Sequence, residues 1–263
     1  MRILFIGDVV GRPGRRCVRE LVPGLRARHG VDLVIANGEN AAGGLGATPE
    51  TLDELFRGGV HLVTLGNHTW RKKQLAPALD MYDNVLRPAN YPQGVPGRGS
   101  QVYVLPDGRK AGVINLLGRV YMEPVACPFE VGLREATRMR EMTPVVIVDF
   151  HAEATSEKVA MGWHLDGACT AVIGTHTHVQ TADERVLPRG TAYITDAGMT
   201  GPMDSVIGME RDIIIRKFLT GMPSEFKVAE DRPGLCGVVV EADDRTGAAL
   251  SIERVCALDE GRG

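Results

Sequence analysis

Five times between Arg2 and His178 the chain runs through a short apolar stretch, stops, and sets down a carboxylate, an amide or an imidazole. The runs are too short for helices and rich in branched residues, so they read as buried β-strands: Arg2–Ile6, Leu33–Ala36, His61–Leu65, Val145–Asp149 and Ala171–Ile173. Val102–Leu105, Ala111–Leu116 and Ala192–Thr195 are further strand candidates. Amphipathic stretches between them predict helices over Pro13–His29, Val131–Met142 and Ser156–Leu165. Another helix opens at Thr48-Pro49-Glu50, with Thr48 as N-cap and Pro49 in the first helical position. Late in the chain, Cys236–Glu241 and Ala249–Val255 alternate around Asp243-Asp244-Arg245-Thr246-Gly247, the signature of a hairpin. Helix-linked strands followed by a hairpin predict an α/β fold with mixed sheets and helices outside. A four-layer αββα sandwich fits this order, as one domain over residues 1–263.

Composition narrows the function. A hydrophobic fraction of 44% supports a sizeable core, and a net charge of −3 argues against a surface made to coat duplex nucleic acid or an anionic membrane. Any phosphate-bearing ligand must therefore be held by a local positive feature. The apolar run Ile3–Ile6 is too short for a leader and is stopped by Asp8, and no stretch reaches transmembrane length. Cys17, Cys127, Cys169, Cys236 and Cys256 lie far apart, an odd set that reads as free thiols acting as small buried hydrophobes in a reducing compartment. A cytoplasmic protein is expected, and homo-oligomerisation is the base-rate expectation.

The chemistry is concentrated where strands end, the place where open α/β sheets gather ligands. The five ends supply Gly7-Asp8, Gly38-Glu39-Asn40, Gly66-Asn67-His68, Asp149-Phe150-His151 and Gly174-Thr175-His176-Thr177-His178. Each has an ordinary reading alone: Asp8 as a cap, Glu39 and Asn40 as loop solvation, Asn67 as a turn residue, His151 as a packed histidine. Together they make a donor set of oxygen and imidazole without thiolate, which suits manganese, iron or zinc. The candidates Asp8, Glu39, Asn40, Asn67, His151, His176 and His178 are too many for one four-coordinate ion and suit two ions sharing a carboxylate. In extended backbone His176 and His178 would point to one side and Thr177 to the other. Such a pair of ions activates a bridging hydroxide and supports in-line displacement at phosphorus. Two divalent ions against two carboxylates and one hydroxide also leave the site net positive. His29, His61 and His164 lack this placement and read as ordinary histidines.

The order Asp, Gly-Glu-Asn, Gly-Asn-His, His, Gly-Thr-His-Thr-His resembles the calcineurin-like metallophosphoesterases, and within them the YmdB-like bacterial branch. The resemblance runs from Asp8 to His178 and includes the N-terminal string Ile6-Gly7-Asp8-Val9-Val10-Gly11. The chain departs from the broad superfamily pattern at Val10, where a histidine is usual, at Glu39 in place of aspartate, and at Thr69 in place of an acid. The first two departures are those of the YmdB-like branch. The resemblance implies that Asp8, Glu39, Asn40 and His178 hold one metal and that Glu39, Asn67, His151 and His176 hold the other, with Glu39 bridging. It implies iron or manganese, zinc being admissible, and the αββα fold. His68 would be no ligand but the general acid at the leaving group, a role suited to imidazole. The implied substrates are phosphodiesters of the cyclic-nucleotide type, either 2′,3′ or 3′,5′.

Three other readings compete. A catalytically weak metal-binding regulatory or scaffold protein would bind nucleotide or a partner without turnover, but it has no use for the retained His68. A metallohydrolase acting on carbon–nitrogen bonds often places its H-x-H near the first strand, whereas here the pair comes late. A serine hydrolase lacks its G-x-S-x-G elbow in this sequence, and no cysteine adjoins a histidine. The segment Asp196–Gly208, rich in glycine and methionine, reads as an ordinary surface loop, with a cover for the site or a contact surface as alternatives. Arg12 reads as solvated rather than phosphate-binding.

Overall fold

The fold, from a computed structural model, is described for residues 1–259, so the last four positions of the expected domain lie outside it. In chain order the elements are β1 (Arg2–Ile6), β2 (Asp8–Val9), α1 (Gly11–His29), β3 (Leu33–Asn37), α2 (Pro49–Arg57), β4 (Leu62–Thr64), α3 (Leu75–Ala78) and β5 (Val85–Leu86). They continue with β6 (Ser100–Val104), β7 (Lys110–Leu117), α4 (Pro128–Arg140), β8 (Val145–His151), α5 (Thr155–His164), β9 (Ala171–Thr175), β10 (Arg185–Val186) and β11 (Ala192–Ile194). The chain closes with β12 (Met199–Pro202), α6 (Arg211–Thr220), β13 (Pro233–Ala242) and β14 (Ala249–Leu258).

Two mixed sheets result. One has the order β2-β12-β13-β1-β3-β4-β5 with β14 on the far side of β13, and the other β10-β11-β9-β8-β7-β6. Parallel pairing joins β1, β3, β4 and β5 in the first and β7, β8, β9 and β11 in the second. Alternation along each strand then builds the layers. Ile3, Phe5, Leu33 and Ile35 of the first sheet meet Val113, Ile147, Ala171 and Ile173 of the second in a buried core between the sheets. Their neighbours Leu4, Ile6, Val34 and Ala36 face outward onto Val18 and Val22 of α1 and Leu52 and Leu55 of α2. On the far side, Ile114, Leu116, Val146 and Val148 pack against Val131 and Ala136 of α4 and Met161 of α5. This is the αββα sandwich.

The expected helix start at Thr48 is present: its side chain accepts the Thr51 N–H and Pro49 opens α2. The expected hairpin pairs β13 with β14 in antiparallel register. One expectation fails. Asp196–Gly208 is not a surface loop at its start, because Asp196 and Ala197 are fully buried and Met199–Pro202 forms a strand between β2 and β13. Glycine and methionine there reflect tight packing: a Cβ on Gly198 would press on Gln180 and Cys236. The five cysteines are free, but only Cys17, Cys169 and Cys236 are buried; Cys256 is exposed on β14, its Sγ 3.5 Å from that of Cys236. Arg12 pairs with Glu230 at the surface.

Candidate functional site

The parallel strands β1, β3 and β4 and their counterparts β8 and β9 bring their carboxyl ends to one edge of the sandwich. The seven residues singled out as metal-type donors meet there. His178 Nε2 lies 3.6 Å from Asp8 Oδ1 and 3.2 Å from the Asn40 amide nitrogen, which in turn donates to Glu39 Oε1 at 3.0 Å. Glu39 Oε1 is 3.2 Å from His151 Nε2, and the same nitrogen is 3.0 Å from both Asn67 Oδ1 and His176 Nδ1. His68 adjoins the group, with Nδ1 2.7 Å from Asn40 Oδ1 and its backbone N–H donating to Glu39 Oε2. Asn40 thus turns its oxygen to His68 and its nitrogen to the cluster, so ligation through oxygen requires a half-turn of the amide. His29, His61 and His164 stand elsewhere, His61 accepting the Val34 N–H.

Burial and charge fit a cation. Glu39, His151 and His176 offer ligand atoms that all lie within 4.8 Å of one another. Asp8 Oδ1 is buried and has no hydrogen-bond partner among the described residues. An orphaned carboxylate oxygen is costly in a protein interior and calls for a positive partner. Burial would raise Glu39, but the adjacent His151 and His68 hold its carboxyl well below the usual range. Burial together with the neighbouring His151 charge pushes His176 down to about 3, which leaves it neutral and able to donate a lone pair. For His178 burial acts downward, yet the Asp8 carboxylate 3.6 Å away and the Ile207 carbonyl raise it to about 9.

Close packing explains the glycines before the donors. A Cβ on Gly66 would collide with Glu39 and His151, and one on Gly174 with the Thr195 carbonyl. The H-x-H pair, however, is not extended strand. β9 ends at Thr175, and His176 and His178 adopt φ of 98° and 65°. Both rings still reach the cluster because the turn is pinned from behind. Asp196 accepts from the Thr177 N–H at 3.1 Å, from Thr177 Oγ1 at 2.7 Å and from the Gly198 N–H at 2.8 Å, and pairs with Lys158 at 2.7 Å.

A second set of residues escaped sequence reading. His151 Nδ1 donates to Thr175 Oγ1 at 2.8 Å, and that hydroxyl donates to Asp149 Oδ1 at 2.7 Å, which fixes the ring with Nε2 turned toward the cluster. Asp149 also accepts from Thr64 Oγ1 and Asn37 Nδ2, and burial raises its carboxyl to about 6. Asn37 Oδ1 accepts the Glu39 N–H. Thr64 reads as an ordinary strand residue, and Asn37 as the stop after the strand Leu33–Ala36. Asp149 stood at a strand end, two positions from His151, and that placement was the available signal.

A two-sheet sandwich carrying carboxylates, amides and imidazoles on one edge is the architecture of the metallophosphoesterases. The chain belongs to the YmdB-like protein family, which matches it over residues 4–255. It is 50% identical over 260 residues to a 2′,3′-cyclic-nucleotide 2′-phosphodiesterase of Bacillus subtilis, covering 99% of this chain and 98% of that protein. A putative phosphatase/phosphodiesterase of Mycoplasma genitalium is 39% identical over 263 residues, covering 97% of this chain and 92% of its own. Among solved structures, a hypothetical protein from Thermus thermophilus superposes with a TM-score of 0.91 at 41% identity, covering 98% of this chain and 99% of that one. A novel phosphatase from Mycoplasma pneumoniae does so with a TM-score of 0.90 at 37% identity, covering 98% and 93%. No described helix is long and apolar enough to cross a membrane.

Proposed function

We propose that this chain is a metal-dependent hydrolase of phosphoric esters whose substrates are phosphodiesters of the 2′,3′-cyclic-nucleotide class. The observation that carries the reading is the convergence of ligand atoms from Glu39, His151 and His176 within 4.8 Å of one another, beside a buried Asp8 Oδ1 that has no hydrogen-bond partner among the described residues. The Bacillus subtilis relative supports the substrate class. Asp8, Glu39, Asn40 and His178 would hold one ion, and Glu39, Asn67, His151 and His176 the other, with iron or manganese suiting this donor set. Bound ions would activate water and neutralise charge on the phosphoryl oxygens.

The chain's own groups do the rest. His151 is oriented through Thr175 and Asp149, and His178 by donation of Nδ1–H to the Ile207 carbonyl at 2.9 Å. His68 is anchored by Nδ1 to Asn40, so its other ring nitrogen is available to a ligand in the adjoining cleft. From there it protonates the leaving alkoxide as the phosphorus–oxygen bond breaks.

The test is elemental analysis of purified protein, then hydrolysis of 2′,3′-cyclic AMP and 3′,5′-cyclic AMP with added Mn²⁺ and with chelator. Two ions per chain and chelator-sensitive cleavage of the 2′,3′ ring are expected; metal-free protein with turnover indifferent to chelator overturns the reading. His68→Ala should keep the metals and slow turnover most for poor leaving groups. Equal rates for this variant and wild type on a 2′,3′-cyclic nucleotide would remove His68 from the mechanism.

A further inference from the structure

The cluster opens on one side into a cleft of about 440 Å³, within the range of roughly 300–1,000 Å³ usual for small-molecule sites. One end of this cleft is Glu39, Asn40, His68, His176 and His178. The other end is apolar, walled by Leu45, Val206, Ile207, Met209, Phe218 and Phe226. Outside the cluster, Lys217 is the one charged residue in the lining among the described residues, and its Nζ sits 4.4 Å over the Phe226 ring.

Ile207 ties the two ends together. Its carbonyl orients His178, its side chain lines the apolar wall, and its φ is 46°. A β-branched residue in the left-handed region is strained, and such strain gathers at ligand clamps. Glycine would satisfy the backbone there at no steric cost, and Gly208 follows immediately with φ of 100°. The branched side chain at Ile207 therefore has a use that the turn itself does not supply.

Resting on the phosphodiesterase reading above, we infer that this apolar annex holds the nucleobase of the substrate, through contact with Ile207 and Phe226. The phosphate lies at the cluster and the ribose spans the interval. Without a hydrogen-bonding side chain in the annex apart from Lys217, the base is held by its faces rather than read by its edges. Adenine and guanine are accepted alike, and both are preferred over the smaller pyrimidines.

The experiment compares kcat/KM for 2′,3′-cyclic AMP, GMP and CMP with that for 1-O-methylribose 2,3-cyclic phosphate, which carries the same ring without a base. Each is run on Mn²⁺-loaded wild type, Phe226→Ala and Ile207→Gly. Wild type should favour the purine nucleotides over the baseless ester, and Phe226→Ala should shrink that ratio by roughly 5- to 100-fold, the usual worth of stacking on an aromatic ring. Ile207→Gly should shrink it too while leaving the melting temperature equal or higher, because the strained φ is relieved. A second arm titrates adenosine 3′-phosphate and ribose 3-phosphate into the metal-free protein by calorimetry, with tighter binding of the nucleotide expected. Equal kcat/KM for nucleotide and baseless ester, or a ratio unmoved by both variants, overturns the inference and leaves the phosphodiesterase intact. Absence of cleavage of every cyclic ester overturns the functional reading instead, and the calorimetric arm still decides the annex: equal affinities refute it.

Discussion

Lys158→Met preserves the length and helical preference of the side chain while removing the cation opposite Asp196. Both partners are buried, Lys158 at 1% and Asp196 at 0% side-chain exposure, with Nζ 2.7 Å from Oδ2. Stripping one charge from such a pair typically costs about 3–5 kcal/mol, because the other is left buried and uncompensated. Here Asp196 keeps the Thr177 N–H, Thr177 Oγ1 and Gly198 N–H as donors, which places the loss near the lower bound. At about 2–4 °C per kcal/mol for a chain of this size, the melting temperature should fall by roughly 6–12 °C. Lys158→Met/Asp196→Asn removes the stranded charge and keeps an acceptor for Thr177, so it should recover at least about 1 kcal/mol over the single variant. Urea unfolding of metal-free protein reads both values, and Mn²⁺ titration reads the loosened His176–His178 turn as a roughly 10- to 100-fold weaker affinity. A single variant within about 1 kcal/mol of wild type, or a double variant no better than the single, would refute the idea that this ion pair pins the turn.

Three further outcomes are expected. With His178 raised to about 9 against an ordinary value near 6.5, its stabilising share in the metal-free protein is complete below about 6.5 and is lost as pH rises through 9. Metal must displace that proton, so Mn²⁺ affinity should rise from pH 6.5 to 8 with measurable proton release; calorimetry in buffers of different ionisation enthalpy checks this. Thr175→Val breaks the link between His151 and Asp149 and should weaken metal binding by about 10- to 100-fold while unfolding free energy drops by about 1–3 kcal/mol, as seen by metal titration and denaturant melts. Gly66→Ala sets a methyl against Glu39 and His151 and should abolish metal retention on gel filtration, whereas Gly94→Ala, with open space around it, should not.

Much of this was legible from strand ends, and the reason is geometric. Buried parallel strands must be uniformly apolar, so Asp8, Glu39, Asn67 and His176 stand out because they interrupt the pattern where the strand leaves the sheet. Their supports do not interrupt it. Thr64 and Thr175 are good strand residues, and Asn37 sits at the strand end that reads as a simple stop, so their bonds to Asp149 depend on partners far away in sequence. Lys158 lay hidden for the same reason: an amphipathic helix is expected to carry lysine outward, and only its packing on β9 and the Asp196 loop turns it inward. Period-two spacing describes the H-x-H pair only in extended chain, whereas the aim of His176 and His178 comes from a left-handed turn held by Asp196.

The sheet that carries Asp8 is finished by strands that lie more than 190 residues further along the chain. β1 bonds β3 on one side and β13 on the other, and among the described residues β2 pairs only with β12. On the ribosome, Arg2–Ile6 therefore waits with a bare edge until Pro233–Ala242 emerges, an apolar template open to the wrong neighbour. Asp8, the first donor synthesised, takes its final position among the last, so a nascent chain lacking its closing hairpin carries the site's sequence without yet holding its pieces in place.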